Sequence, residues 1–165
     1  MLKKEVLDRL NEQINLEHFS ANLYLSMASW ASAQGLAGTA KFLKEHSNEE
    51  MEHMHKLFDY VNETGAQAVV GALKTPPNEF KDIKDVITQT YKHEKFITSK
   101  INSLVDLTLT QKDFATFNFL QWYVAEQHEE EALFSGLIDK IEIIGTDGRG
   151  LHLIDKELGT TIAVG

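Results

Sequence analysis

Leu43-Lys44-Glu45-His46-Ser47-Asn48-Glu49-Glu50-Met51-Glu52-His53-Met54-His55-Lys56-Leu57 is the run whose reading decides the fold. Leu43, Glu50 and Leu57 stand seven apart, a spacing that returns to nearly the same face of a helix. Glu50 therefore lies on a stripe otherwise made of leucines, and His53 follows one turn later. A carboxylate and an imidazole point where apolar groups belong.

The same pattern recurs in each predicted helix. Leu10/Glu17/Tyr24, Ile87/Glu94/Ile101 and Leu120/Gln127/Phe134 each place a polar group midway along an apolar heptad face. Glu17 precedes Glu50 by the same interval that separates Glu94 from Gln127, and His53 and Glu130 each follow three residues later. A single shift superimposes Thr39 on Thr116, Phe42 on Phe119, Leu43 on Leu120, Glu49 on Glu126 and Glu52 on Glu129. This is a duplicated two-helix unit that gathers its polar residues at mid-height in one bundle core.

Working outward, the periodicity predicts helices over about 4–34, 39–63, 82–110 and 113–144. Gly35 and Gly38 close the first, Gly65 the second and Gly145 the fourth, while Asp82 is placed to cap the third with Asp85 three residues on. The stretch from Gly65 through Pro76 and Pro77 carries no helical period and reads as a long crossover that lets the second and third helices run parallel. Short turns elsewhere demand antiparallel neighbours. A short amphipathic piece, about 150–159, is too short to stand alone and must dock on its own bundle or on a neighbouring subunit. The expected architecture is all-α, a four-helix bundle over about 4–144 plus a short fifth helix, in a single domain spanning 1–165.

Composition sets further limits. With 165 residues, 42% of them hydrophobic, the chain can bury one substantial core. The absence of cysteine excludes disulfides and thiolate chemistry. The charged, amphipathic beginning offers no signal-peptide core and no segment is apolar enough to span a bilayer, so a cytoplasmic protein without a membrane partner is expected. The net charge of −9, without a basic cluster, argues against nucleic acid as a partner.

Burying one unpaired carboxylate costs several kcal/mol, so inward Glu17, Glu50, His53, Glu94, Gln127 and Glu130 need neutralising. No lysine or arginine shares their stripes. A pair of divalent cations bridged by Glu50 would serve, and an oxygen-dominated set with one imidazole suits iron or manganese better than copper or structural zinc. The alternative is a polar layer satisfied by water and internal hydrogen bonds.

Across essentially its whole length the chain resembles bacterial non-haem ferritins. The resemblance rests on Glu17, the run Glu50 to His53, Glu94 and the run Asn118 to Glu130. It implies a ferritin-like bundle and a ferroxidase centre with Glu17, Glu50 and His53 at one iron and Glu50, Glu94 and Glu130 at the other, with Gln127 beside the second. It also implies a third iron position near Glu49, Glu126, Glu129 and Glu130. The implied reaction is oxidation of Fe(II) by dioxygen or hydrogen peroxide, followed by deposition of ferric oxyhydroxide inside a hollow homo-oligomer of 24 subunits. Tyr24, one heptad from Glu17, is implied as an electron or hydrogen-bond donor, or is simply a core tyrosine. Trp122, Tyr123 and the remaining histidines read as packing or surface residues, with His46 one turn from Glu50. Where symmetric di-iron proteins repeat Glu-x-x-His, this chain has Gln127-x-x-Glu130, so the second iron lacks a histidine and should be held more weakly. Met51 matches the haem-binding methionine of bacterioferritins, but Gln127 and Glu130 depart from that family and no haem is expected. A small di-iron oxidase or peroxidase is the other alternative.

Overall fold

Three aspartates begin helices by accepting the first free backbone amides: Asp82 from Asp85 at 2.8 Å, Asp113 from Thr116 at 3.1 Å and Asp147 from Gly150 at 2.9 Å. The computed structural model describes residues 2–161, and within them the chain forms α1 (Lys4–Ala33), α2 (Ala37–Glu63), α3 (Ile83–Thr110), α4 (Phe114–Ile144) and α5 (Gly148–Leu158), with no strand. Gly35, Gly65 and Gly145 take positive φ just beyond α1, α2 and α4, the conformation in which a residue with a Cβ is penalised.

Side-chain pairs fix the helix directions. Along α1, Glu5, Glu12 and Tyr24 meet Gln111 at the C-cap of α3 and Lys100 and Glu94 within it, in reverse order, so these helices are antiparallel. Likewise His46, His53 and Tyr60 of α2 meet Glu130, Tyr123 and Thr116 of α4. With α1 and α2 joined by a tight turn, α2 and α3 run parallel, as the long crossover requires.

That crossover, residues 64–82, is pinned to the outside of α1 by two asparagine side chains one turn apart. Asn11 accepts from the Val69 amide at 2.8 Å; Asn15 accepts from the Gly71 amide at 2.7 Å and donates to the Val69 carbonyl at 2.9 Å. Ser26 donates to the Pro77 carbonyl at 2.7 Å near its far end. The amides of Asn11 and Asn15 thus stand in for a neighbouring strand and satisfy backbone groups that a structureless loop would leave open.

The fifth helix docks on its own bundle, burying Ile154 and Leu158 against α2 and α4. Its Asp155 accepts from the Thr39 amide and hydroxyl, both at 2.8 Å, and from the Gly38 amide at 3.2 Å. Leu36, at the N-cap of α2, offers no side-chain cap, so a carboxylate more than a hundred residues away serves instead. This explains why α2 starts at Ala37, ahead of the Thr39 expected from sequence.

The apolar core is in two parts. One, around Val6, Leu10, Leu57, Ile101 and Leu120, fills the end bearing the α3–α4 turn; the other, around Met27, Phe42, Ile87, Phe134 and Ile154, fills the end bearing α5. Between them lies a polar layer. No described helix is long and apolar enough to cross a membrane.

The contact of α5 with α2 leaves no room at Gly38, where an added Cβ would stand 1.9 Å from the Asp155 carbonyl oxygen. Gly38→Ala should therefore lower stability by about 1–3 kcal/mol, read as an earlier thermal unfolding transition with increased proteolysis at α5. Unchanged melting would contradict this docking.

Candidate metal centre

The layer between the two cores is built one turn at a time from four helices: Glu17 from α1, Glu50 and His53 from α2, Glu94 from α3, and Gln127 and Glu130 from α4. All six are buried, Glu17, Glu94 and Glu130 to 1% exposure. The heptad spacing that made them anomalous in sequence thus carries each to the same height.

Their hydrogen bonds are unequal. Gln13, itself buried, donates to Oε1 of Glu17 at 2.8 Å and leaves Oε2 without a partner. Tyr24 donates to one oxygen of Glu94 and Gln127 to the other, the latter at 3.0 Å. The Gln127 amide is steadied by the Glu94 carbonyl at 3.2 Å and by Thr98 Oγ1 at 3.3 Å. Both oxygens of Glu130 lack a donor, as do Oε2 of Glu49, Oε1 of Glu126 and Nε2 of His46. Of eight such buried side-chain atoms among the described residues, six belong to this neighbourhood. Buried polar atoms are ordinarily paired, so this concentration of bare lone pairs calls for cations.

Two groups have ligand geometry. Glu17, Glu50 and His53 each offer an atom within 4.8 Å of the others, and so do His46, Glu49 and Glu130. Glu94 joins neither. Glu126 lies 4.0 Å from Nε2 of His53, and Glu129 is exposed on the outward side of α4. His46 is the member that sequence reading placed only behind Glu50; it packs between Phe42 and Phe134 and points Nε2 toward Glu130 at 3.6 Å. Its position three residues before Glu49 was the available signal. Gln13, one turn before Glu17, is the other residue that the heptad argument passed over.

Crowding and burial alter several of the charges here. Burial raises Glu17 to about 7, against the lowering effect of the Gln13 donor and of neighbouring Glu50. Burial, with Glu130 nearby, raises Glu94 to about 8 against the donors Tyr24 and Gln127. Glu50 is pushed up by burial and by the adjoining Glu94, Glu17 and Glu130. Glu49 and Glu126, nearer the surface, also reach about 7, chiefly through burial. His53 is pushed down to about 4 by burial and Lys56, which leaves its imidazole neutral and able to donate a lone pair to a metal. Burial opposes charge on His46, yet Glu130 and Glu49 outweigh it and raise its pKa. Without cations the site holds itself together with protons.

Outside the ligand groups, Tyr123 donates to the His53 carbonyl at 2.7 Å, and Trp122 meets the His53 ring edge-on at 5.2 Å. His93 faces Ser20 at 2.7 Å and packs among Phe19, Tyr24 and Phe96.

Comparison with known proteins gives a consistent result. A model of the ferritin-like domain matches residues 7–144. A probable bacterial non-heme ferritin-like protein of Haemophilus influenzae is 58% identical over 159 residues, covering 96% of each chain. A bacterial non-heme ferritin of Campylobacter jejuni is 54% identical, covering 94% of this chain and 93% of its own. An open pore ferritin from Archaeoglobus fulgidus superposes with a TM-score of 0.95 at 41% identity, over 98% of this chain and all of that one.

The raised carboxylates set a pH dependence for the metal-free protein. Glu17 and Glu94 keep protons to about 7 and 8 when folded but only to about 4.5 when unfolded. The stability they contribute is complete below the unfolded value and is lost as pH rises through the folded one. His46, also raised, acts in the same direction; His53 and His93, lowered to about 4, oppose it only below their unfolded value of 6.5. Between pH 6.5 and 8 the metal-free protein should lose on the order of 2 kcal/mol, seen as a falling melting temperature in chelator. Mn(II) or Zn(II) should raise the melting temperature and remove the pH difference. A metal-free protein that gains stability over this range would refute the account.

Proposed function

The chain belongs to the bacterial non-haem ferritin family, and on that premise we propose that it stores iron by oxidising Fe(II) at the buried carboxylate layer. The observation that carries this reading is the set of unpaired carboxylate oxygens and the neutral His53 gathered between two apolar cores. Oxygen-rich donors with imidazole and no sulfur fit iron, here the substrate. Two Fe(II) ions each give up one electron; dioxygen takes both with two protons and leaves as hydrogen peroxide. The Fe(III) product is hydrolysed to ferric oxyhydroxide.

In this reading Glu17, Glu50 and His53 take the first iron, since their ligand atoms already lie within 4.8 Å of one another. Glu50, Glu94 and Glu130 take the second. Both oxygens of Glu94 are engaged by Tyr24 and Gln127, and no histidine replaces them. A less prepared second position favours onward movement of iron over permanent retention. Glu49, Glu126 and Glu129 form the route or third position beyond it, with His46 beside Glu49 and Glu130. Tyr24 steadies Glu94. We assign no haem, because Gln127 and Glu130 depart from the bacterioferritin pattern despite Met51. The proposed setting is the cytoplasm and the assembly a shell of 24 copies of this one ferritin-like domain.

Aerobic loading of the metal-free protein with excess Fe(II), followed by size-exclusion chromatography, tests this. Iron should co-elute far above two ions per chain with a half-megadalton-scale particle, and Glu50→Ala should slow initial oxidation by roughly 10–100-fold. Iron held near two per chain on a small oligomer would overturn storage in favour of a di-iron oxidase.

A further inference from the structure

A row of aromatic side chains leaves the metal centre toward the end of the bundle bearing the α3–α4 turn. His53 meets Trp122 edge-on with centroids 5.2 Å apart; Trp122 meets Tyr123 at 4.8 Å; Tyr123 meets Phe119 at 5.7 Å; and Phe119 stacks on Tyr60 at 3.8 Å with the rings 8° from parallel. Tyr60 lines a surface cleft with Lys3, Gln111 and Asp113.

Three of these residues can be oxidised by one electron, and their surroundings rank where the resulting electron vacancy rests. The Lys56 ammonium lies 3.9 Å above the Trp122 ring, and a cation over the face disfavours positive charge on that ring. Tyr123 is buried and its hydroxyl is bound to the His53 backbone carbonyl at 2.7 Å, which cannot carry a proton away. Tyr60 differs. Thr116 uses its single hydroxyl hydrogen on Asp113 Oδ2 at 2.8 Å, so in the 2.9 Å contact between the two hydroxyls the Tyr60 O–H must be the donor. A directed chain therefore runs from Tyr60 through Thr116 to a carboxylate beside the surface cleft.

We propose that Tyr60 is the terminal one-electron donor of this row, reached through Trp122, Tyr123 and the bridging ring of Phe119, and that it loses its hydroxyl proton through Thr116 to Asp113. The inference rests on the ferroxidase reading, which supplies peroxide beside iron. When peroxide meets a single Fe(II), one electron comes from iron and the second must come from elsewhere: Fe(II), hydrogen peroxide, a tyrosine, the Asp113 carboxylate and two protons from solvent give Fe(III), a tyrosyl radical, a protonated Asp113 and two waters. The O–O bond breaks, the tyrosine is oxidised, and its phenolic proton is the one passed to Asp113. The damage is thereby moved away from the ligands.

The test treats the assembled, metal-free protein with Fe(II) at less than one per chain plus hydrogen peroxide. Samples are frozen within seconds for electron paramagnetic resonance, and parallel samples are digested for mass spectrometry. A tyrosyl signal is expected that Tyr60→Phe largely removes, while oxidised products at Trp122 and Tyr123 increase. Thr116→Val should produce the same loss with Tyr60 still present, an outcome that simple packing of Tyr60 would not give. A radical of undiminished yield in both variants, or one located on Tyr24, overturns the proposal. Fe(III) measured in the same samples separates the two readings: its absence in the unsubstituted protein would fail the ferroxidase assignment, whereas normal Fe(III) with an unmoved radical fails this inference alone.

Discussion

Mutual repulsion among carboxylates that have been taken out of water is the constraint on which this structure depends. Glu17, Glu50, Glu94 and Glu130 occupy one layer at 3% exposure or less, and among the described residues no lysine or arginine pairs with any of them. Burial makes Glu17, Glu50 and Glu94 prefer a proton, and neighbouring carboxylates deepen the preference for Glu50 and Glu94. The fold tolerates this because apolar clusters above and below hold the helices at fixed separation. A weaker frame would relieve the repulsion by letting the helices part or admitting water.

The site is divided by how its oxygens are occupied. Gln13, Tyr24 and Gln127 satisfy particular lone pairs and leave others bare, so each carboxylate enters the centre with a set number of free oxygens. Glu130 has two, Glu17 has one, and Glu94 has donors on both. Neutral amide and hydroxyl donors suit this purpose because they orient a carboxylate without cancelling its charge. Gln127 sits at the position that the internal duplication pairs with Glu50, so one half of the repeat supplies a carboxylate where the other supplies a donor that steadies one.

Much of this was legible in the chain itself. Helix spans follow from apolar periodicity and from Asp82 and Asp113, whose capping depends on residues three positions away; the crossover follows from the loss of period between Gly65 and Pro77; and the polar layer follows from Glu17, Glu50, Glu94 and Gln127 at heptad positions. What sequence left open depends on partners distant in the chain. Whether α5 would lie on its own bundle or a neighbour's was undecidable from Leu151 to Leu158, because the deciding contact joins Asp155 to Gly38 and Thr39. The role of Asn11 and Asn15 was hidden in the same way, since asparagine on an exposed helix face ordinarily meets only solvent. His46 read as a packing or surface histidine one turn from Glu50, and only the structure shows Phe42, Phe134 and Glu130 closed around it.

The asparagine ladder on α1 has a consequence for the order in which the molecule is made. The α1–α2 and α3–α4 hairpins are each closed by a few residues, so their contacts are local and form early, whereas uniting them means closing a long connection against its entropy. Asn11 and Asn15 fasten the first third of that connection along the first hairpin and so shorten the free tether on which the second hairpin searches. Since union of the hairpins is also the event that drives Glu17 and Glu50 against Glu94 and Glu130, the closing of the long connection and the dehydration of the acidic layer are one event. The tether's fastening thus bears on how quickly the chain matures as well as on the shape it keeps.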